Sequence, residues 1–206
     1  LEVVQWNVHK GYLAELLAKG LPVVPTAFVR AGTRADLGAI LGERDWDEAV
    51  LKPAVSADSW ETIRVNRRTL AAGQAHLDRL SPTRDMMVQP YLASVATSGE
   101  RCLTFIDGEL SHAVRKNSLF LGGRHAGPEG VAVPIEPDEA EAARRIVAGV
   151  GADGLLYARV DLMRDATGRP LLSEMELIEP TLFVREVPGA LERLADAVAE
   201  RAARST

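Results

Sequence analysis

Two stretches near the end of the chain alternate polar and apolar residues, and they constrain the fold more than any other part of the sequence. The first covers residues 157–163 and the second residues 172–180, with the turn-forming sequence Asp-Ala-Thr-Gly between them at 165–168. Alternation with a period of two is the pattern of a β-strand with one buried face. The two stretches therefore predict a β-hairpin in which each side chain is confined to one of two faces.

The register of this hairpin decides which side chains meet. A four-residue turn places Arg159 opposite Glu174 and Asp161 opposite Leu172. Opposed residues share a face, and so do residues two apart on one strand. One face then carries an arginine and three carboxylates, namely Arg159, Asp161, Glu174 and Glu176.

Three carboxylates on one face repel each other unless a cation lies among them. Hard divalent cations prefer oxygen ligands, and Mg²⁺ usually takes one or two carboxylates from the protein, with phosphate and water completing its shell. Asp161, Glu174 and Glu176 are therefore candidate metal ligands, with Arg159 placed to stabilise an anion. The alternative is a solvated outer face, and a slip of one residue would put Asp161 and Glu174 on opposite faces.

Two lysines are candidates for phosphate contacts. Lys52 ends an apolar strand directly before Pro53, and Lys10 opens a helix predicted over residues 10–19. An ammonium group in such a place suits a phosphate as a point charge, although each lysine taken alone is more simply explained as an exposed charge. The sequence GxxxxGK is absent from the chain, which excludes a P-loop.

An extended segment, residues 88–92, joins the two halves of the chain. It contains one proline, and we expect it to leave backbone groups free for the edge of an adenine ring, although a plain linker explains it as well. Glu100 follows, and its carboxylate can accept hydrogen bonds from ribose hydroxyls. A glycine-rich stretch at 122–130 is interpreted either as a flap over a site or as a surface loop.

Strands and helices are mixed along the chain, and hairpins outnumber βαβ units, which predicts an α+β fold. We expect three parts: residues 1–25 as the remnant of an N-terminal domain with a connecting helix, residues 26–88 as a small lobe, and residues 89–206 as a large lobe. The first four residues, Leu-Glu-Val-Val, are typical of the end of a strand. This abrupt opening predicts that most of an N-terminal domain is missing.

Composition excludes several classes of protein. The 206 residues include 24 Lys and Arg against 29 Asp and Glu, a net charge of −5, whereas nucleic-acid binders are usually basic. The single cysteine forbids an intrachain disulfide and favours a reducing cytoplasm. Apolar runs fall short of the roughly 20 residues that a membrane span needs. We therefore expect a cytoplasmic protein without nucleic-acid or membrane partners.

Taken together, these residues resemble the ATP-grasp family, in the branch that holds glutathione synthetase, the ribosomal-protein glutamate ligases and the O-ureido-serine cyclo-ligase of cycloserine biosynthesis. The resemblance covers about residues 7–183. It is carried by the order and spacing of five motifs, which are Lys52-Pro53, the segment 88–92, Ser-His-Ala-Val-Arg-Lys at 111–116, Ala-Arg-Val-Asp at 158–161, and the acidic stretch 173–180.

The resemblance implies an ATP-grasp fold in which two α+β lobes clasp ATP, and it assigns a role to each candidate residue. Arg159 would stabilise the acyl phosphate and the tetrahedral intermediate, and Glu100 would bind ribose. The remaining roles fall into three groups: phosphate contacts by Lys10, Lys52, Lys116 and Ser56; the adenine hinge of Gln89, Tyr91 and Leu92; and magnesium ligands Asp161, Glu174 and Glu176. Ser56 and Ser59 would replace the glycines that the family usually has in the loop after the second lysine.

The activity implied is that of an ADP-forming carboxylate–amine ligase. ATP phosphorylates a carboxylate to an acyl phosphate, and an amine then displaces phosphate. The cofactors implied are ATP and magnesium, as two ions that manganese can replace, and the partners are small-molecule acids and amines in a homodimeric enzyme. The alternatives are an intramolecular cyclo-ligase and a nucleotide-binding module without ligase activity.

Overall fold

The computed structural model describes residues 2–57, 59–116 and 130–204 and contains two antiparallel sheets. The first sheet has the strand order β1-β4-β2-β3. Its strands are β1 (Ala27–Val29), β2 (Glu48–Pro53), β3 (Ile63–Asn66) and β4 (Met86–Pro90). The second sheet has the order β7-β6-β5-β8-β9. Its strands are β5 (Glu100–Ile106), β6 (Glu109–Lys116), β7 (Gly130–Val133), β8 (Tyr157–Arg164) and β9 (Pro170–Glu176).

Seven α-helices accompany these sheets in the described ranges. They are α1 (Glu2–Val8), α2 (Tyr12–Ala18), α3 (Leu37–Glu43), α4 (Leu70–Leu80), α5 (Ser94–Ser98), α6 (Pro137–Val150) and α7 (Ala190–Arg204). The strand pairs are antiparallel, and α-helices and strands are mixed along the chain, so the predicted α+β class is confirmed. None of these helices combines the length and the apolar character that crossing a membrane requires.

Helices α3 and α4 cover one face of the first sheet. Leu37 and Leu77 are fully buried there against Leu51 and Val65. Gly73 makes this close packing feasible, because a Cβ atom at that position would lie 2.6 Å from Val65 Cγ1. A glycine inside a helix is normally unfavourable, and here it is explained by the close approach of α4 to β3.

Helices α2 and α6 cover one face of the second sheet. The shared core contains Leu13 and Leu16 from α2, Ile146 from α6, and Leu103 and Val160 from the sheet. The first 25 residues therefore pack on the second sheet and contribute to its core.

The first residues form helix α1 and not the end of a strand, so that prediction is wrong. Val3 and Val4 are exposed, so their β-branched side chains make no buried contact that would favour a strand. Trp6 instead packs on Tyr12, with ring centroids 4.8 Å apart, and Asn7 is buried. These tertiary contacts outweigh the local strand propensity of the valines.

The hairpin of β8 and β9 forms as predicted, but in a different register. Asp161 pairs with Glu174, and Arg159 pairs with Glu176. The connection is residues 165–169, one residue longer than predicted, and a bulge at Ser173 adds another. Two shifts of one residue restore the alternation, so the arginine and the three carboxylates still share a face.

Strand β9 lies at the edge of its sheet, and the N-terminal segment covers its outer side. The N–H of Leu172 donates to the Pro22 carbonyl at 2.7 Å, and the Leu172 carbonyl accepts from the N–H of Val24 at 2.9 Å. Further along the strand, Asn7 and Tyr12 bond its backbone through their side chains. The polar backbone groups of this edge are thereby satisfied by the same chain.

Candidate active site

A cavity of about 650 Å³ lies between the two sheets, and every candidate residue of the sequence analysis lines it. From the N-terminal segment and the first sheet come Lys10, Lys52, Ser56, Gln89, Tyr91 and Leu92. From the second sheet come Glu100, Lys116, Arg159, Asp161, Glu174 and Glu176. Lys10 and Glu174, which are 164 positions apart in sequence (174 − 10), thus line one cavity because β9 lies beside the N-terminal turn.

Arg159 holds two of the three hairpin carboxylates. Its Nε donates to Asp161 Oδ1 and its Nη2 to Asp161 Oδ2, both at 2.7 Å, and Nη2 also donates to Glu176 Oε1. Arg159 and Asp161 are each only 2% exposed. A bidentate, charge-assisted pair of this kind fixes both side chains. The Nη1 group reaches further, to the Thr181 carbonyl at 3.2 Å.

Burial raises the pKa values of two carboxylates in the site. Burial raises the pKa of Glu176 to about 7; Arg159 opposes the shift, while Asp161 and Glu174 add to it. Burial also raises the pKa of Glu100, and Asp161 is the next cause. The site therefore holds carboxylates whose charged form burial disfavours and a bound cation would stabilise.

The lysines approach the same carboxylates from the other side. Lys10 Nζ lies 3.0 Å from Glu174 Oε1 and donates to the Ser56 carbonyl at 2.9 Å. Burial lowers the pKa of Lys52, against the opposing effect of Glu174. For Lys116 burial acts in the same downward direction, but Glu100 and other carboxylates outweigh it and raise the pKa. An anion bound between these lysines would offset the free-energy cost of burying their charges.

The segment expected to form an adenine hinge is not a free linker. Gln89 belongs to β4, where it pairs with Val50, and its side-chain amide donates to Thr26 Oγ1 at 2.9 Å. The Tyr91 N–H donates to the Glu48 carbonyl at 2.9 Å, so the prediction of free backbone groups is wrong at Tyr91. The reason is that the sheet continues to Pro90, which brings the next residue within reach of β2.

Glu100 lies beside the hairpin carboxylates. Its Oε1 accepts a hydrogen bond from Ser173 Oγ at 2.7 Å. One ligand atom each from Glu100, Cys102 and Asp161 lie within 4.8 Å of one another. Cys102 is fully buried, on the face of the sheet that carries Asp161. Burial raises the pKa of its thiol, which keeps the group neutral.

Several lining residues were not found from the sequence. Val50 and Met163 lie two residues from Lys52 and Asp161 on their strands, and strand alternation would have placed them on the same face. Ser173 could not be found in this way, because it is the bulge residue. The glycine-rich stretch proposed as a flap lies outside the described residues, except for Gly130 at the start of β7.

Comparison with known proteins gives one curated relative of high coverage. No family model matches the chain. The cycloserine biosynthesis protein DcsG of Streptomyces lavendulae is 36% identical, over 98% of this chain and 72% of that protein. The crystal structure of D-cycloserine synthetase DcsG superposes with a TM-score of 0.88 and 35% identity, over 97% of this chain and 72% of the other.

More distant solved structures share the fold. The ATP-grasp ligase PsnB complexed with minimal precursor has a TM-score of 0.67 at 18% identity, over 95% of this chain and 62% of its own. A D-alanine–D-alanine ligase from Bacillus anthracis complexed with ATP has a TM-score of 0.66 at 15% identity, over 96% and 66%. At these identities the likeness establishes the common fold.

Proposed function

The chain belongs to the ATP-grasp family of ATP-dependent ligases, which form carbon–nitrogen bonds, and on that premise we propose how its cavity performs the reaction. The enzyme forms ADP and an acyl phosphate from ATP and a carboxylate, and it then joins the acyl group to an amine. The observation that carries this proposal is the cluster of Arg159 with three carboxylates, facing buried and half-buried lysines across one cavity.

The lysines would bind the triphosphate of ATP. Lys10, Lys52 and Lys116 line the cavity from three different elements, and Lys10 and Lys52 are in contact with or close to Glu174. Phosphate oxygens would replace part of these carboxylate contacts. The adenine base would be contacted by side chains and the remaining backbone of Gln89, Tyr91 and Leu92. Glu100 would bind the ribose, and Ser56 would bind the phosphates.

The hairpin carboxylates fit a divalent cation. Asp161, Glu174 and Glu176 offer hard oxygen donors, and a cation beside Glu176 would stabilise the charged form that burial disfavours. An ionised carboxylate has about four lone-pair sites, so it can keep its arginine or lysine partner and still hold a metal. Magnesium, as two ions that manganese can replace, would neutralise charge on the phosphate oxygens.

Arg159 would act at the reacting acyl group. The substrate carboxylate oxygen bonds to the γ-phosphorus while the bond to ADP breaks. The amine nitrogen then bonds to the acyl carbon as phosphate leaves, and it loses one proton to solvent. Negative charge develops on the acyl oxygen in the second step, and a guanidinium already fixed by Asp161 can stabilise it without reorganisation.

An intramolecular version of this reaction is the second candidate. The 36% identity with DcsG favours it, since that protein serves cycloserine biosynthesis. In this case the acid and the nucleophile belong to one molecule, and O-ureido-serine is the substrate to try. A cyclo-ligase would release ADP from ATP and that single compound, whereas an intermolecular ligase would need a separate amine.

The experiment is to measure ADP release with MgATP and pools of carboxylic acids, each with and without amines. Product masses then separate the two candidates, because an intermolecular product contains both molecules. MgATP binding without ADP release from any pool would instead favour a nucleotide-binding module and would count against ligase activity.

The remaining assignments complete the proposal. We assign residues 26–88 to a small lobe and residues 89–206 to a large lobe, on whose sheet residues from the first 25 positions pack. The partners are small-molecule acids and amines, and the expected homodimer in the cytoplasm stays a prediction. Sedimentation equilibrium would check the dimer.

A further inference from the structure

The backbone between two of the proposed metal ligands is held by side chains from the start of the chain. Met175 lies between Glu174 and Glu176 on the edge strand β9. The Tyr12 hydroxyl accepts from the Met175 N–H at 2.8 Å and lies 3.1 Å from the Met175 carbonyl. Asn7 Nδ2 donates to the same carbonyl at 2.8 Å. Both polar groups of Met175 are therefore occupied by Asn7 and Tyr12.

Asn7 acts on this edge as a neighbouring strand would. Its Oδ1 accepts from the Leu177 N–H at 2.9 Å while its Nδ2 serves the Met175 carbonyl. One amide thus bridges a carbonyl and an N–H two residues apart, which is the spacing of a strand partner. Asn7 and Tyr12 are themselves buried, at 9% and 2% exposure.

The same turn brings a third group to the site. Lys10 lies between Asn7 and Tyr12 in sequence, and its ammonium contacts Glu174. Its backbone N–H donates to the Ala54 carbonyl at 2.9 Å, and the neighbouring His9 Nε2 lies 3.1 Å from Asp85 Oδ2. Residues 7–12 are therefore fixed to the edge of the second sheet and to the first sheet at once.

We propose that Asn7 and Tyr12 are positioning residues for the magnesium site. By fixing the backbone at Met175, they set the direction in which Glu174 and Glu176 leave the strand. The inference rests on the proposed function, since it concerns how the ligands of that site are held. Groups that orient metal ligands typically contribute 10–100-fold to metal affinity or activity.

The test is the variant Tyr12→Phe, which removes the hydroxyl and keeps the ring that packs on Trp6. Magnesium affinity is measured by calorimetric titration of MgCl₂ into protein saturated with a non-hydrolysable ATP analogue. We expect the affinity to fall about tenfold, at the lower end of that range. ADP release should recover when magnesium is raised by the same factor.

Tyr157→Phe is the matched control. Its hydroxyl also donates to a backbone carbonyl next to β9, that of Ile178 at 2.7 Å, but beyond the stretch between Glu174 and Glu176. This control should lose stability like Tyr12→Phe and keep its magnesium affinity. Equal magnesium affinity in both variants and in the unmodified protein would overturn the inference.

Asn7→Ala repeats the test without touching Tyr12, should Tyr12→Phe not fold. This variant too should lower the magnesium affinity, and unchanged magnesium affinity would contradict the proposal. Variants that kept the magnesium affinity of an unmodified protein able to bind MgATP would overturn this inference alone. An unmodified protein that bound no magnesium, with or without the nucleotide, would overturn the proposed function as well.

Discussion

At the scale of single residues, Arg159 has two tasks that substitution can separate. It neutralises the buried Asp161 and the half-buried Glu176, and it is proposed to stabilise charge at the acyl group. Removing one partner of a buried ion pair commonly costs about 3–5 kcal/mol of stability. A neutral residue at this position would therefore confuse a loss of catalysis with a loss of folding.

Arg159→Lys keeps the charge and loses the bidentate geometry. Because a preorganised donor contributes about 10²–10³-fold to turnover, we expect kcat to fall by roughly that factor, with KM for ATP changed little. Steady-state assays of ADP release check both values. Arg193→Lys, which alters an exposed guanidinium bonded to Ser111 Oγ, is the control. Unchanged turnover in Arg159→Lys would show that its geometry is not needed.

Glu176 gives a prediction for pH. Its pKa in the folded protein, about 7, lies above the ordinary carboxyl value of 4.5. A raised pKa means that the folded state holds the proton more tightly, so the stability from this group is present below pH 4.5 and is lost as the pH rises through 7. Without divalent cations, the protein should therefore lose stability between pH 5 and 8 through Glu176.

Glu176→Gln removes this titration. We expect the variant to equal or exceed the unmodified protein in stability at pH 8, and to show a smaller loss between pH 5 and 8. Chemical unfolding at both pH values, in the presence of a chelator, measures the difference. An identical pH dependence in the two proteins would contradict the assignment of this pKa.

At the scale of elements, two helical glycines should respond to alanine with opposite signs. At Gly73 in α4 a Cβ atom would lie 2.6 Å from Val65 Cγ1, whereas at Gly42 in α3 it would meet nothing within 4 Å. Overpacking costs about 1–3 kcal/mol, so we expect Gly73→Ala to destabilise. Gly42→Ala should stabilise by about 0.5–1 kcal/mol, the usual helical preference.

Urea unfolding of both variants gives the comparison directly. A stabilising Gly73→Ala would mean that α4 can move away from β3 without cost, and the packing argument would then be wrong.

Sequence reasoning succeeded where strand alternation dominates and failed where a tertiary contact decides. Alternation placed Asp161 and Glu174 on one face because period two survives a shift of two residues. The turn length and the bulge at Ser173 could not be predicted, since both depend on side-chain bonds: Asp165 Oδ1 accepts from the Arg169 N–H, and Ser173 Oγ bonds Glu100. Nor could the sequence show that Asn7 would bond a strand 168 residues away.

At the scale of the whole molecule, the cavity lies between two sheets, so a ligand that fills it should stabilise the entire fold. A ligand at 100 times its dissociation constant adds about 2.7 kcal/mol. We expect MgATP analogues to raise the melting temperature, and magnesium or nucleotide alone to do less. Asp161→Asn combined with Glu174→Gln should abolish the joint effect.

Differential scanning fluorimetry with each ligand alone and combined checks this expectation. The double variant should still gain from nucleotide alone, because the lysines stay in place. A full magnesium-dependent rise in the melting temperature of the double variant would show that the metal binds elsewhere.

The covering of β9 by residues 7–24 has a consequence for association between copies. A version of the protein starting at residue 25 would lack the Pro22 carbonyl, the Asn7 amide and the Tyr12 hydroxyl that occupy the outer backbone of that strand. Uncovered edge strands invite pairing with another chain. Shortened versions should therefore form strand-paired oligomers or precipitate.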